Sequence, residues 1–152
     1  MTILILSDLG WHLYLRLFLA LVFGVIIGYE RATKNKAAGI RTHSLVCLGS
    51  ALIMILSTLD TNQYRDPMRL AAQVVSGIGF IGAGVIWMDK DSIKRGLTTA
   101  ANIWITSAIG LSLGYGVLDL AVITLVLMFI GIHAPRIFKN LRPYGHHDED
   151  DE

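Results

Sequence analysis

Cysteine occurs once in the 152 residues, at Cys47, which excludes an internal disulfide and a cysteine-built zinc site. Lying inside an apolar segment, Cys47 reads as a small packing residue. Charge is scarce: 16% of the residues are Asp, Glu, Lys or Arg, against about 25% in soluble domains. The net charge of +1 gives no reason to expect a nucleic-acid partner. There is no GxSxG, no HExxH and no cluster of acids able to hold a catalytic metal within a membrane. The sequence therefore assigns no catalytic residue, no metal and no cofactor, and reads as a non-enzyme. The first apolar stretch lacks a basic segment before it and runs into glycines and a basic loop, so it reads as a retained helix and not as a cleaved signal peptide.

What is abundant is apolar surface. Hydrophobic residues make up 53% of the chain, and the mean hydropathy is +0.56. This is the composition of one integral-membrane domain in a lipid bilayer. Charges divide the chain into five apolar segments: Leu9 to Tyr29 with Arg16 inside it, Thr42 to Leu59, Leu70 to Met88, and two more sharing Gly96 to Pro135, whose only charge is Asp119. Gly114-Tyr115-Gly116 is the turn expected between the last two. The predicted fold is an all-α, polytopic bundle of five transmembrane helices over residues 1–135, followed by a charged cytoplasmic tail over 136–152. The end of that tail, HHDEDDE, reads as solvated chain.

Basic residues give the bundle a direction. Arg31, Lys34, Lys36 and Arg41 follow the first segment, Lys90, Lys94 and Arg95 follow the third, and Arg136, Lys139 and Arg142 follow the fifth. These are ten of the 13 Lys and Arg residues; Arg16, Arg65 and Arg69 fall on the other side. The positive-inside rule places the ten in the cytoplasm, with the N-terminus outside and the C-terminus inside.

The third segment carries the most information. Its nineteen uncharged residues after Arg69 are long enough to cross a ~30 Å hydrocarbon core at ~1.5 Å per residue. It also holds Gln73, Ser76, Gly77, Gly79, Gly82 and Gly84. Gly77-x-Gly79-x-x-Gly82 matches the dinucleotide-binding fingerprint in letters, but that motif needs a strand before it and a soluble helix after it. Close packing of backbones is the better reading. On a helical wheel Ala72, Ser76, Gly79 and Ala83 share one side, Gln73, Gly77 and Gly84 the adjoining one, and Val74, Ile78, Ile81 and Val85 the remaining arc. The expectation is that the small and polar sides face protein, that the branched arc faces lipid, and that this helix is central.

Polar residues within a membrane usually face the bundle interior. Glu30, Arg41, Asp60, Arg69, Gln73, Thr98 and Asn102 form the candidate polar core. Asp60 and Arg69 bracket the outer loop, and Thr98, Asn102 and Thr106 make a stripe on one helix face. Ion pairing and interhelical hydrogen bonding would explain the same residues without any further role. Gly24, Gly28, Gly77, Gly79, Gly82 and Gly84 are the candidate helix-packing glycines, with Ala20, Gly24 and Gly28 forming a seam on the first helix.

Five runs of sequence then resemble one family: Glu30-Arg31; Gly39-Ile40-Arg41-Thr42-His43; Leu45-Val46-Cys47-Leu48-Gly49; Arg69-x-Ala71-Ala72-Gln73-Val74-Val75-Ser76-Gly77-Ile78-Gly79-Phe80-Ile81-Gly82-Ala83-Gly84; and Gly96-Leu97-Thr98-Thr99-Ala100-Ala101-x-x-Trp104. Together they resemble the MgtC/SapB membrane family over roughly residues 15 to 130. The resemblance implies a multi-pass protein of the bacterial inner membrane. For MgtC-type members it implies growth at low magnesium, survival inside macrophages and virulence, with restraint of the proton-translocating ATP synthase as the mechanism. Those members carry a soluble C-terminal domain, so this chain is expected to be of the short SapB-like kind. Two functions follow as expectations. One is a regulator that binds through its helices, as a homodimer or to another membrane protein such as ATP synthase. The other is a small transporter or channel for a cation or proton, which would need the polar core to form a wet, continuous path.

Overall fold

The computed structural model describes residues 10–59, 66, 68–87 and 96–139. They form five helices: α1 (His12–Thr33), α2 (Ile40–Leu59), α3 (Met68–Trp87), α4 (Leu97–Tyr115) and α5 (Leu118–Lys139). The five apolar segments of the sequence are these five helices, and α5 continues past Pro135 to Lys139. Three of them, over His12–Thr33, Ile40–Leu59 and Met68–Ile86, are long and apolar enough to cross a membrane, and α5 is apolar over the shorter stretch Leu118–Ala134.

The connections follow from local chemistry. α1 ends where Asn35 takes a left-handed φ of 51°, with the Lys36 amide donating back to the Arg31 carbonyl. Asparagine tolerates that conformation better than any branched residue. The α4–α5 turn lies where the sequence places it. Gly116 has φ 101°, its amide donates to Leu113, and the Val117 amide donates to Ser112, the paired bonds of a Schellman ending. Arg16 of α1 closes the same end by donating from Nη1 to the Gly114 carbonyl at 3.1 Å. A cation there satisfies a carbonyl that the helix itself leaves unpaired.

Lipid is as apolar as leucine, so helices in a membrane associate through close packing and hydrogen bonds and not by escape from water. Glycines four residues apart supply the close packing twice. Gly24 and Gly28 of α1 lie against the backbone of α2, and a Cβ on Gly24 would come within 2.5 Å of the Ser44 Cα. Gly110 and Gly114 of α4 lie against the other side of α2, where added Cβ atoms would collide with the Cys47 and Ala51 carbonyls. Cys47 and Ala51 are fully buried between these seams, with Ile27, Ile109 and Leu113 around them.

The central helix is α4, not α3. It contacts all four other helices, and its buried residues include Thr99, Asn102, Thr106 and Ser107. Polar residues make α4 the worst candidate for facing lipid, so its neighbours enclose it. The faces of α3 are also largely the reverse of the sequence expectation, with Ile81 alone of the branched arc exposed as expected. Ile78 is buried and packs on Ile103 of α4, flanked by Val74 and Val85, while Ala72, Gln73, Ser76, Gly77, Gly79, Ala83 and Gly84 are exposed. Branched side chains interdigitate with α4, and α4 offers its own small residues there, such as Ala100 against Gly82.

Orientation is tested by labelling cysteines introduced one at a time into a Cys47→Ala background. Ala37→Cys, in the α1–α2 loop, is expected to react only from the cytoplasmic side, and Tyr115→Cys only from outside intact cells. Reaction of Ala37→Cys from outside would invert the topology.

Candidate functional site

Buried polar groups collect where α1 ends, α2 begins and α4 passes between them. His43 is fully buried, and its Nδ1 lies 2.9 Å from Thr106 Oγ1. Thr106 Oγ1 in turn lies 2.6 Å from the Asn102 carbonyl, which can only accept. With the threonine proton on that carbonyl, Nδ1–H of His43 is the donor to Thr106. The ring also lies against the Ala38 backbone, and Nε2 is buried with no hydrogen bond of good geometry among the described residues. One turn along, Ser50 and Ser107 hydroxyls meet at 2.8 Å, a second polar rivet between α2 and α4.

A charged group adjoins this one. Glu30 pairs through Oε1 with Lys34, and its Oε2 lies 3.6 Å from Nη1 of the buried Arg31. Lys34 Nζ also reaches His133 Nε2 of α5 at 2.9 Å. His133 Nδ1 is 2.8 Å from the Phe129 carbonyl, so Nδ1 donates and Nε2 accepts from the lysine. This contact ties the far end of α5 to α1. Glu30 Oε2 and Arg31 Nε join His43 Nε2 as buried atoms without hydrogen-bond partners among the described residues.

The candidate residues from the sequence separate into two places. Glu30 belongs to the charged group. Asn102 is buried on α4 and donates its amide to the carbonyl of Thr98, whose own side chain faces outward. Arg41 is exposed on the first turn of α2. Arg69 and Gln73 lie on the exposed side of α3, because Val74, Ile78 and Val85 have taken the inward side. Asp60 lies outside the described residues, as do residues 1–9, the basic loop from 88 to 95 and the tail from 140. The path from Arg69 past Gln73 to Asn102 and Glu30 is thus not assembled among the described residues. Of the packing glycines, Gly24 and Gly28 sit at a helix crossing and Gly82 meets Ala100, whereas a Cβ at Gly77, Gly79 or Gly84 would meet nothing within 4 Å. Among the described residues, none of those three lies in close contact with another helix.

The structure adds Lys34 and His133 to the candidate set, and joins to it Arg31, His43 and Thr106, polar residues that the sequence already places near the cytoplasmic face or on the α4 stripe. Thr106 was visible in the α4 stripe. The Lys34–His133 contact joins positions 99 apart with no local pattern to announce it.

The MgtC family model matches residues 17–141. The chain belongs to the MgtC family. Among curated proteins, this MgtC-family chain is 48% identical over 116 residues to the Escherichia coli K12 protein named "Putative magnesium transporter YhiD", covering 71% of this chain and 53% of that protein. It is 40% identical over 109 residues to "Protein MgtC" of Brucella abortus, covering 72% of this chain and 45% of that one. A Haemophilus influenzae protein is 41% identical over 128 residues, 79% of this chain and 54% of its own length. The chain spans about half the length of the curated relatives it matches. No solved structure matches it significantly.

Proposed function

We propose that this MgtC-family chain is a non-enzymatic, multi-pass protein of the bacterial cytoplasmic membrane, tied to growth at limiting magnesium, that acts by helix-to-helix contact with other membrane proteins. One observation carries this reading. The outward side of α3 combines small residues with Gln73 and Ser76, and neither side chain makes a hydrogen bond among the described residues. A polar amide turned toward hydrocarbon is costly, and a neighbouring helix relieves that cost where lipid does not. The link to magnesium rests on the printed names of the relatives. The family resemblance supplies the proton-translocating ATP synthase as a partner of the right kind, and the association with virulence.

The second reading is a small transporter for a cation or proton, favoured by the printed name of YhiD. The polar groups here suit it less well. Glu30 is already flanked by Arg31 and Lys34, which oppose binding of a second cation. The hydrogen-bond chain from His43 ends on a backbone carbonyl, which cannot pass a proton onward.

The purified protein in liposomes loaded with a magnesium-sensitive dye separates the two. Magnesium entry is expected to match that of protein-free liposomes, while the same chain restores growth at low magnesium in a strain lacking its own family member. Sustained, saturable magnesium entry would overturn the regulatory reading.

A further inference from the structure

The exposed side of α3 is not uniformly small. Phe80 projects from its middle and is 80% exposed. On a helical wheel it stands between Ser76, Gly79 and Ala83 on one flank and Gln73, Gly77 and Gly84 on the other. Gly77 and Gly84 lie three residues before and four residues after it, so they form a bare patch directly beside the ring. A Cβ on either would meet nothing within 4 Å. One face therefore carries both a large knob and the hole that fits it.

Resting on the helix-contact reading above, we infer that the occupant of this face is α3 of a second copy of the chain, with Phe80 of each copy seated on Gly77 and Gly84 of its partner. Three features favour a second copy. A knob and its hole on one face are self-complementary, which is what a two-fold interface requires. A glutamine amide is both donor and acceptor, so two Gln73 side chains related by a two-fold axis satisfy each other. In a membrane dimer the two copies share one orientation, so their α3 helices run parallel and Gln73 meets Gln73 at the same depth. Bare glycine backbone then allows the close approach that drives helix pairing in lipid. At the start of the helix, Arg69 is accompanied by exposed Asp66, so each copy brings both signs of charge to the edge of the interface. Beside the same face, a groove of about 680 Å³ runs between α2 and α3, almost wholly apolar, with Gln73 and Gly77 among its lining residues and Gly49 opposite.

Disulfide formation in native membranes tests the pairing. In a Cys47→Ala background, two differently tagged copies carrying Gln73→Cys, the position that meets itself across the two-fold axis, are co-expressed and oxidised. The expected product has twice the mass of the chain and carries both tags, while Ile123→Cys, exposed on α5, gives none. Adding Phe80→Ala is expected to lower the Gln73→Cys yield at least five-fold with no change in melting temperature, because Phe80 is so little covered within one chain. An undiminished yield would overturn the seating of Phe80 on the partner. A product joining the chain only to a different protein would overturn the second copy and leave the helix-contact reading standing. No product at all would overturn the second copy, and the helix-contact reading would then be decided separately, by whether bulk placed at Gly79 abolishes growth at low magnesium.

Discussion

Gly110→Leu is expected to melt well below the parent chain, while Gly79→Leu melts with it. Both glycines lie in the middle of apolar helices, and sequence spacing alone does not separate them. Their surroundings do. A Cβ on Gly110 would collide with the Cys47 carbonyl and come within 2.9 Å of the Ser50 Cβ, so α2 would have to retreat from α4. Moving α2 also pulls apart the Ser50–Ser107 bond and the glycine seam that α1 makes on its other side. Overpacking costs ~1–3 kcal/mol and sometimes more. A clash with backbone lies at the upper end, a large part of the ~5–15 kcal/mol that holds a typical domain folded. Gly79 faces open space, so a leucine there costs the fold almost nothing. Thermal unfolding in detergent measures both. Equal melting temperatures for the two variants would contradict the assigned packing.

The second large effect is expected at His43. His43→Ala removes the Nδ1–H bond to Thr106 and leaves a cavity where a fully buried ring stood. Deleting a large buried side chain costs ~2–5 kcal/mol, and the variant should fall in the lower half of that range because Nε2 contributes no hydrogen bond among the described residues. His43→Asn keeps an N–H donor at the position of Nδ1 and should recover about 1 kcal/mol of the loss. If His43→Asn and His43→Ala unfold together, the hydrogen bond to Thr106 contributes nothing.

Much of the fold was legible because membranes simplify the reading. Long uncharged runs become helices, and the turn at Gly116 has the glycine that a left-handed φ demands. The seam of Gly24 and Gly28 was visible as small residues four apart. The faces of α3 were not legible, for a physical reason. Small residues mark a face that packs closely, but they do not say whether the neighbour belongs to the same chain. The sequence pattern assigned Ile78 to lipid, and it is instead buried against Ile103. The centrality of α4 was hidden in the same way: its polar stripe indicates a protein-facing helix, but the glycines of the third segment indicate close packing just as strongly. The candidate site was read in part. Glu30 and Asn102 lie in or beside the buried polar groups, whereas the partners that define those groups, His43 with Thr106 and Lys34 with His133, come from helices distant in sequence.

On this reading the outward face of α3 carries the function while contributing nothing to the fold. Gly79→Ile places bulk on that face at a position where a Cβ meets nothing within 4 Å. The measurement is growth at limiting magnesium, read beside protein level and melting temperature from the same membranes. The predicted result is loss of growth with both other quantities at the parent value. Growth equal to the parent, or loss of growth that only follows loss of folded protein, would contradict the account.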